Sequence, residues 1–329
     1  MHPVKRAIAG AAIFATAMCH QLVDAAPAAA QAFPSKSIRL LVGFPPGGGA
    51  DSVARIIGDE MSRSLGQPVI VENKPGATGA LVVGDLGKAD PDGHVLLVTP
   101  SSLAVFTAMA KTAPLDDAGS FIWVANVIDM PFYILVHDDS EVKSLADLVA
   151  KAKAAPGTLS FGSAGIGSAY HLLVELIGLS TGAKFVHVPY RGDAPLVTDL
   201  LGKHIQFAPT TPTGLAGNLE KGRLRALAVT TGKRWPAQPT IPTVAEALDF
   251  KDFDIGTWFA VAGPPRMPRE TVVRINAEIA RAAATTGVRS RLDALGGQVN
   301  LLAPDQLQQR AAREFAVLGS IADRIGLPR

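Results

Sequence analysis

Short apolar runs of β type, each broken by glycine or proline and followed by a helical repeat, dictate most of what this chain can become. Ile38-Arg39-Leu40-Leu41-Val42 is the first such run. Phe44-Pro45-Pro46-Gly47-Gly48-Gly49 breaks it, and Val53, Ile56, Ile57 and Met61 then share one helical face until Gly66 supplies a stop. A strand at 69–71, a turn at 75–79, a helix and a strand at 95–98 continue the theme. It resumes with a strand at 133–136. Ser144 and Asp147 then have the spacing of a capping box and open a helix that ends before Pro156-Gly157. A strand at 158–161 runs into Gly162-Ser163-Ala164-Gly165-Ile166-Gly167-Ser168, and Leu172, Leu173, Leu176 and Ile177 line the next helix up to Gly178. Strands at 185–188, 205–208 and 225–230, a capped helix from Thr243 and a helical tail from Pro268 complete the series. Strands alternating with helical segments of this kind form parallel sheets covered by helices, so the fold class is α/β. At 329 residues the chain is about twice a usual single core, which implies two lobes or one large domain.

The start of the chain reads as an address. Lys5 and Arg6 precede an apolar run at 7–18, and Ala30-Gln31-Ala32 offers an exit, so residues 1–32 are expected to be a secretory signal peptide. The run is about a dozen residues where a membrane span needs about 20. Met18 and Thr16 fit a lipoprotein site at Cys19 poorly. Cleavage after Ala32 removes the only cysteine, which leaves no disulfide, thiol nucleophile or thiolate metal site. The 31 basic and 29 acidic residues nearly cancel, which excludes a nucleic-acid binder working through a basic face.

Two βα turns, at 47–51 and 162–168, carry the chemistry. A strand that delivers a glycine-rich turn to a helix start leaves backbone N–H groups without partners, and the helix dipole there favours an anion. Asp51 and Ser168 are also N-cap residue types. Neither turn is a dinucleotide fingerprint or a nucleophile elbow: Ser52 stands where the first would need glycine, and Phe161 where the second would. His94, His137, His171, His187 and His204 lack metal-ligand spacing, so no metal and no cofactor is expected. His171 is expected to pack or hydrogen-bond. The contrasting reading, an exported hydrolase using Ser163 or Ser168 with His171, lacks an orienting acid. Arg191 can reach a ligand carboxylate or pair with Asp193 or Asp199, and Lys233-Arg234-Trp235 reads as solvated surface or a docking contact.

The motifs Phe33-Pro34-Ser35-Lys36, Phe44-Pro45-Pro46-Gly47-Gly48-Gly49-Ala50-Asp51, Val71-Glu72-Asn73-Lys74-Pro75-Gly76, Phe161-Gly162-Ser163-Ala164-Gly165, Val188-Pro189-Tyr190-Arg191-Gly192 and Ile241-Pro242-Thr243-Val244-Ala245-Glu246 occur in this order. In these the chain resembles the Bug (TctC-type) receptors, the periplasmic solute-binding proteins of tripartite tricarboxylate transporters. The resemblance implies a two-lobed, type II-like Venus flytrap, each lobe a mostly parallel sheet flanked by helices, hinged on crossover strands. It places lobe 1 at 33–130 plus 256–329 and lobe 2 at 131–255. It further implies a non-enzymatic, monomeric periplasmic receptor that holds a small carboxylate and serves membrane transporter subunits. Sensing for a membrane signalling protein would use the same clamp. Ligand contacts are expected from Phe44, Gly47, Gly48, Gly49 and Asp51, and from Ser163, Ala164, Gly165 and Ser168, largely through backbone donors with ordered waters. Thr99, Ser101 and Ser102 add hydroxyls, and Arg191 and Thr210 complete the set. Gly43 stands where relatives carry proline. Thr210 stands where many carry an acid, which argues for a non-amino dicarboxylate or an aromatic carboxylate.

Overall fold

The computed structural model describes residues 33–76, 79–101, 103, 122–212, 218–219 and 221–326. The expected signal peptide and Ser102 lie outside the described residues. In chain order the elements are β1 (Ile38–Val42), α1 (Gly49–Leu65), β2 (Val69–Asn73), α2 (Ala80–Gly87), β3 (Val95–Pro100), β4 (Ile122–Pro131) and β5 (Tyr133–His137). Then come α3 (Leu145–Ala154), β6 (Ser160–Ser163), α4 (Ala169–Thr181), β7 (Val186–Pro189), α5 (Asp193–Leu201), β8 (Phe207–Thr210), β9 (Leu224–Val229) and α6 (Val244–Leu248). The last are β10 (Gly256–Gly263), α7 (Arg269–Ala284), α8 (Thr286–Asp293), β11 (Gln298–Val299) and α9 (Pro304–Arg324).

The strands form two sheets, one ordered β11-β4-β10-β3-β1-β2 and the other β7-β6-β8-β5-β9. β1 pairs in parallel with β2 and β3, and β6 in parallel with β7 and β8. In each sheet one strand that has crossed from the other sheet runs against its neighbours: β10 between β3 and β4, and β5 between β8 and β9. The chain changes sheet twice, between Pro131 and Tyr133 and between Val229 and Gly256. Thr230 ties the two passages together. Its hydroxyl receives the Phe132 N–H at 3.1 Å and donates to the Ile255 carbonyl, while its own carbonyl receives the Ile255 N–H at 2.9 Å.

Each sheet has its own core. Val136, Leu148, Phe161, Leu173, Leu196 and Phe207 anchor that of the second sheet. Trp123 and Trp258 meet edge to face beside the first sheet, with centroids 4.9 Å apart, over Leu307 and Ala311 of α9. Each such fully buried side chain contributes about 1.5–3 kcal/mol relative to exposure. α9 also reaches α4: Leu318, Ile321 and Ala322 pack on Leu172.

Candidate functional site

The expected ligand residues gather at the carboxyl ends of parallel strands, the edge at which open α/β sheets bind ligands. Beyond β1, Gly48 is the N-cap of α1, in extended conformation and with no side chain capping the helix. The first-turn amides of α1 therefore lack a side-chain acceptor. Gly49 lies under the Phe259 ring, and a Cβ there would sit 2.7 Å from its Cζ. Asp51 is not the cap its residue type suggested; it is the third residue of α1. Its buried carboxylate accepts the Gly47 N–H at 2.9 Å, two bonds from Arg55 at 2.9 and 3.0 Å, and one from Asn73 Nδ2 at 2.9 Å. Asn73 Nδ2 also donates to the Phe44 carbonyl, so Asp51 and Asn73 together pin the loop to β2. Burial opposes the Asp51 charge, but Arg55, the Gly47 amide and Asn73 outweigh it and hold the carboxyl below its usual range. The Gly47 amide is thus spent on Asp51.

The second turn is braced from inside. Ser168 caps α4 as expected, accepting the His171 N–H at 3.4 Å. The fully buried Ser163 hydroxyl donates to the Gly165 carbonyl at 2.9 Å and accepts the Gly165 N–H at 3.1 Å. It also lies 2.6 Å from His187 Nε2. His187 stacks on His171 with centroids 3.9 Å apart, and Phe161 stacks on His187 at 4.9 Å. His171 Nδ1 accepts the Gly167 N–H at 3.1 Å, which requires that nitrogen to be unprotonated. Burial, with the neighbouring His171 adding to it, lowers His187 to about 4, and burial lowers His171 as well. Gly165 has φ +128°, where an L side chain is strained. The Gly165 and Gly167 amides are therefore internal struts. Among the described residues, the His171 N–H is spent on Ser168, while the amides of Ala164, Ile166, Ala169 and Tyr170 are not tied up in this way.

This geometry disfavours the hydrolase reading. The hydroxyl in contact with an imidazole is that of Ser163, its partner is His187 rather than His171, and it is sealed from solvent. Ser168 is occupied as a cap.

The remaining residues divide. Thr99 is buried with its hydroxyl on the Pro100 carbonyl, and Thr210 is buried with its hydroxyl on the Thr211 carbonyl. The Ser101 hydroxyl donates to Glu314 Oε1 at 2.6 Å; Trp258 Nε1 donates to the other oxygen, and burial pushes the Glu314 carboxyl up. Arg191 is exposed, and neither Asp193 nor Asp199 pairs with it. Asp199 accepts the Tyr190 hydroxyl at 2.7 Å, and Asp193 accepts that of Tyr170 at 3.2 Å. Trp235 is not solvated surface: it is buried and its Nε1 donates to the Gly296 carbonyl at 3.0 Å, while Arg234 pairs with Glu246. From the sequence, His187 stands out only as one of five scattered histidines and Asp193 only as a partner for Arg191. The partners of His187 lie on other elements, whereas Asp193 had a local sign in the glycine before it and the arginine before that.

Comparison with known proteins agrees with this architecture. The profile of the family described as "Tripartite tricarboxylate transporter family receptor" matches residues 53–327. The chain is 37% identical over 276 residues to a UPF0065 protein in the tcbD-tcbE intergenic region of Pseudomonas sp. (strain P51), covering 84% of this chain and 82% of the relative. It is 35% identical over 293 residues to BugT of Bordetella pertussis, covering 88% and 90%. Among solved structures, MatC from Rhodopseudomonas palustris with bound malate is similar with a TM-score of 0.80 and 28% identity, over 88% of this chain and 99% of that one. R. palustris Rpa4515 with adipate is similar with a TM-score of 0.81 and 28% identity, over 89% and 98%.

Proposed function

Because the chain belongs to the tripartite tricarboxylate transporter receptor family, we propose that it captures a small dicarboxylate between two lobes in the periplasm and delivers it to membrane subunits of such a transporter. The observation that carries this reading is the matched pair of helix starts. α1 and α4 each begin at the carboxyl end of a parallel strand, in different sheets, with amides left over for an anion. A dicarboxylate has a charge for each. Neighbours described with malate and with adipate favour this class over an aromatic carboxylate.

Lobe 1 comprises residues 33–130 and 256–329, and lobe 2 residues 131–255. The two chain crossings, stapled by Thr230, form the hinge. A ligand that touches both lobes biases the hinge towards closure by its differential affinity for the closed state. The protein acts as a monomer and changes no bond in its ligand.

Calorimetric titration of the purified protein with a panel of di- and tricarboxylates tests this. The expected result is one or more dicarboxylates binding at micromolar or tighter affinity, with binding lost in Gly48→Val. A Cβ at Gly48 meets only the Pro45 carbonyl, at 3.8 Å, so that variant keeps the fold and blocks only the approach to the amides. No binding across the panel, or undiminished binding by Gly48→Val, contradicts the reading.

A further inference from the structure

Asp193 stands where three strands of the second sheet end. It is the first residue of α5, four positions after β7 closes. Its Oδ2 accepts the Tyr170 hydroxyl at 3.2 Å and the Thr211 hydroxyl at 3.4 Å. Tyr170 belongs to the first turn of α4, and Thr211 directly follows β8. Asp193 therefore bridges the anion-binding helix start and the strand end at which Thr210 was expected to contact ligand.

The supporting tyrosine is tightly held. Its oxygen accepts the Thr211 N–H at 3.1 Å, so its one proton goes to Asp193. Its ring meets Phe132, beside the first chain crossing, edge to face at 5.1 Å. The other carboxylate oxygen, Oδ1, has no hydrogen-bond partner among the described residues, and Asp193 is partly exposed. Among the described residues no cation pairs with it, the exposed Arg191 two residues earlier included. The result is a carboxylate held by one oxygen to the first turn of α4, with a second oxygen that no donor among the described residues takes up. Burial pushes the carboxyl up, against the lowering effect of the Tyr170 and Thr211 hydroxyls.

We infer that Asp193 is a specificity-determining residue, which selects carboxylates that carry a hydroxyl or ammonium group over the same carbon skeletons without one. The inference rests on the capture reading above. A plain dicarboxylate brings negative charge against Oδ1 and nothing to satisfy it, whereas a donor-bearing ligand fills that acceptor. Sites built around a buried polar partner reject analogues lacking the matching group, because the unpaired group is left behind. Discrimination through repulsion against the wrong ligand works in the same direction. The preference for a non-amino ligand drawn from Thr210 loses its ground, since α5 supplies an acid one residue away from it.

The test is calorimetry on two matched sets, succinate with malate and aspartate, and adipate with 2-hydroxyadipate and 2-aminoadipate, for the wild type, Asp193→Asn and Tyr170→Phe. In the better-binding set the wild type is expected to hold a donor-bearing member at least tenfold more tightly than the plain one. The stronger of the two donor-bearing members identifies hydroxyl or ammonium. Asp193→Asn is expected to narrow the gap to threefold or less by gaining the plain diacid as well as losing the other. Tyr170→Phe, which keeps the carboxylate but frees its second oxygen, is expected to retain the preference and so covers the case in which Asp193→Asn misfolds. Equal binding of plain and donor-bearing members by the wild type, or a preference that survives Asp193→Asn, overturns the assignment to Asp193 and leaves carboxylate capture standing. No binding by either set overturns both.

Discussion

Two histidines decide how firmly the second turn is held. His171 must stay unprotonated at Nδ1 to accept the Gly167 amide, and His187 braces Ser163 while stacked on it. Charging either ring would place a cation against its neighbour in a buried stack. The folded protein thus holds His187 at about 4, below the ~6.5 of an unfolded chain. A base whose folded value is depressed contributes its full stability above the unfolded value and loses it as pH falls through the interval between the two. Stability should therefore drop between about pH 6.5 and 4, by on the order of 2 kcal/mol from this pair. Chemical denaturation across that range, with His187→Gln alongside, measures it. The variant should start less stable and show a shallower acid loss; an identical pH slope in both proteins contradicts the assignment. Nothing near His187 in sequence signals this, because its serine lies 24 residues away. Asp51 was visible as a polar residue at a helix start, but its partner Asn73 lies across the sheet, so its role as a loop clamp was not.

At the level of elements, the glycine-rich turns and the amphipathic helices were legible, because their signals are local. The three strands that the alternation missed are β4, β10 and the two-residue β11. β4 carries Asn126 and Asp129 in the middle of an apolar run, which spoils a strand pattern. Besides a bond of 3.0 Å from Asn126 to Asp129, their partners come from far along the chain: Asn126 donates to the Asn300 carbonyl at 2.6 Å, and Asp129 takes Arg310 and Asn300 at 2.8 and 2.7 Å. The crossings that join the sheets were placed by family likeness, not by pattern. Thr230 is the element-scale determinant there. Thr230→Val keeps the shape and removes the hydroxyl, leaving the Phe132 amide and the Ile255 carbonyl each short of a buried partner. The expected cost is about 1–3 kcal/mol in a urea melt. A variant within 0.5 kcal/mol of wild type would show that the staple is idle, taking as the yardstick the scatter of neutral surface changes.

For the whole molecule, two mixed α/β sheets exchange one strand each, so that neither is complete without chain from the other. α9 adds a second connection, packing on Trp258 through Leu307 and Ala311 at one end and on Leu172 of α4 at the other. In a two-lobed fold hinge bending is expected where the chain passes between the sheets, here at Phe132 and at the Thr230–Ile255 pair. The sequence is nearly neutral and supplies no basic field, so the capture proposed above rests on oriented amides. The most direct measurement is a crystal structure of the protein with a bound dicarboxylate from the calorimetric panel. One carboxylate is expected at the amides that open α1 and the other at those that open α4, directly or through one water. A ligand held by one of these turns alone, or at neither, contradicts it.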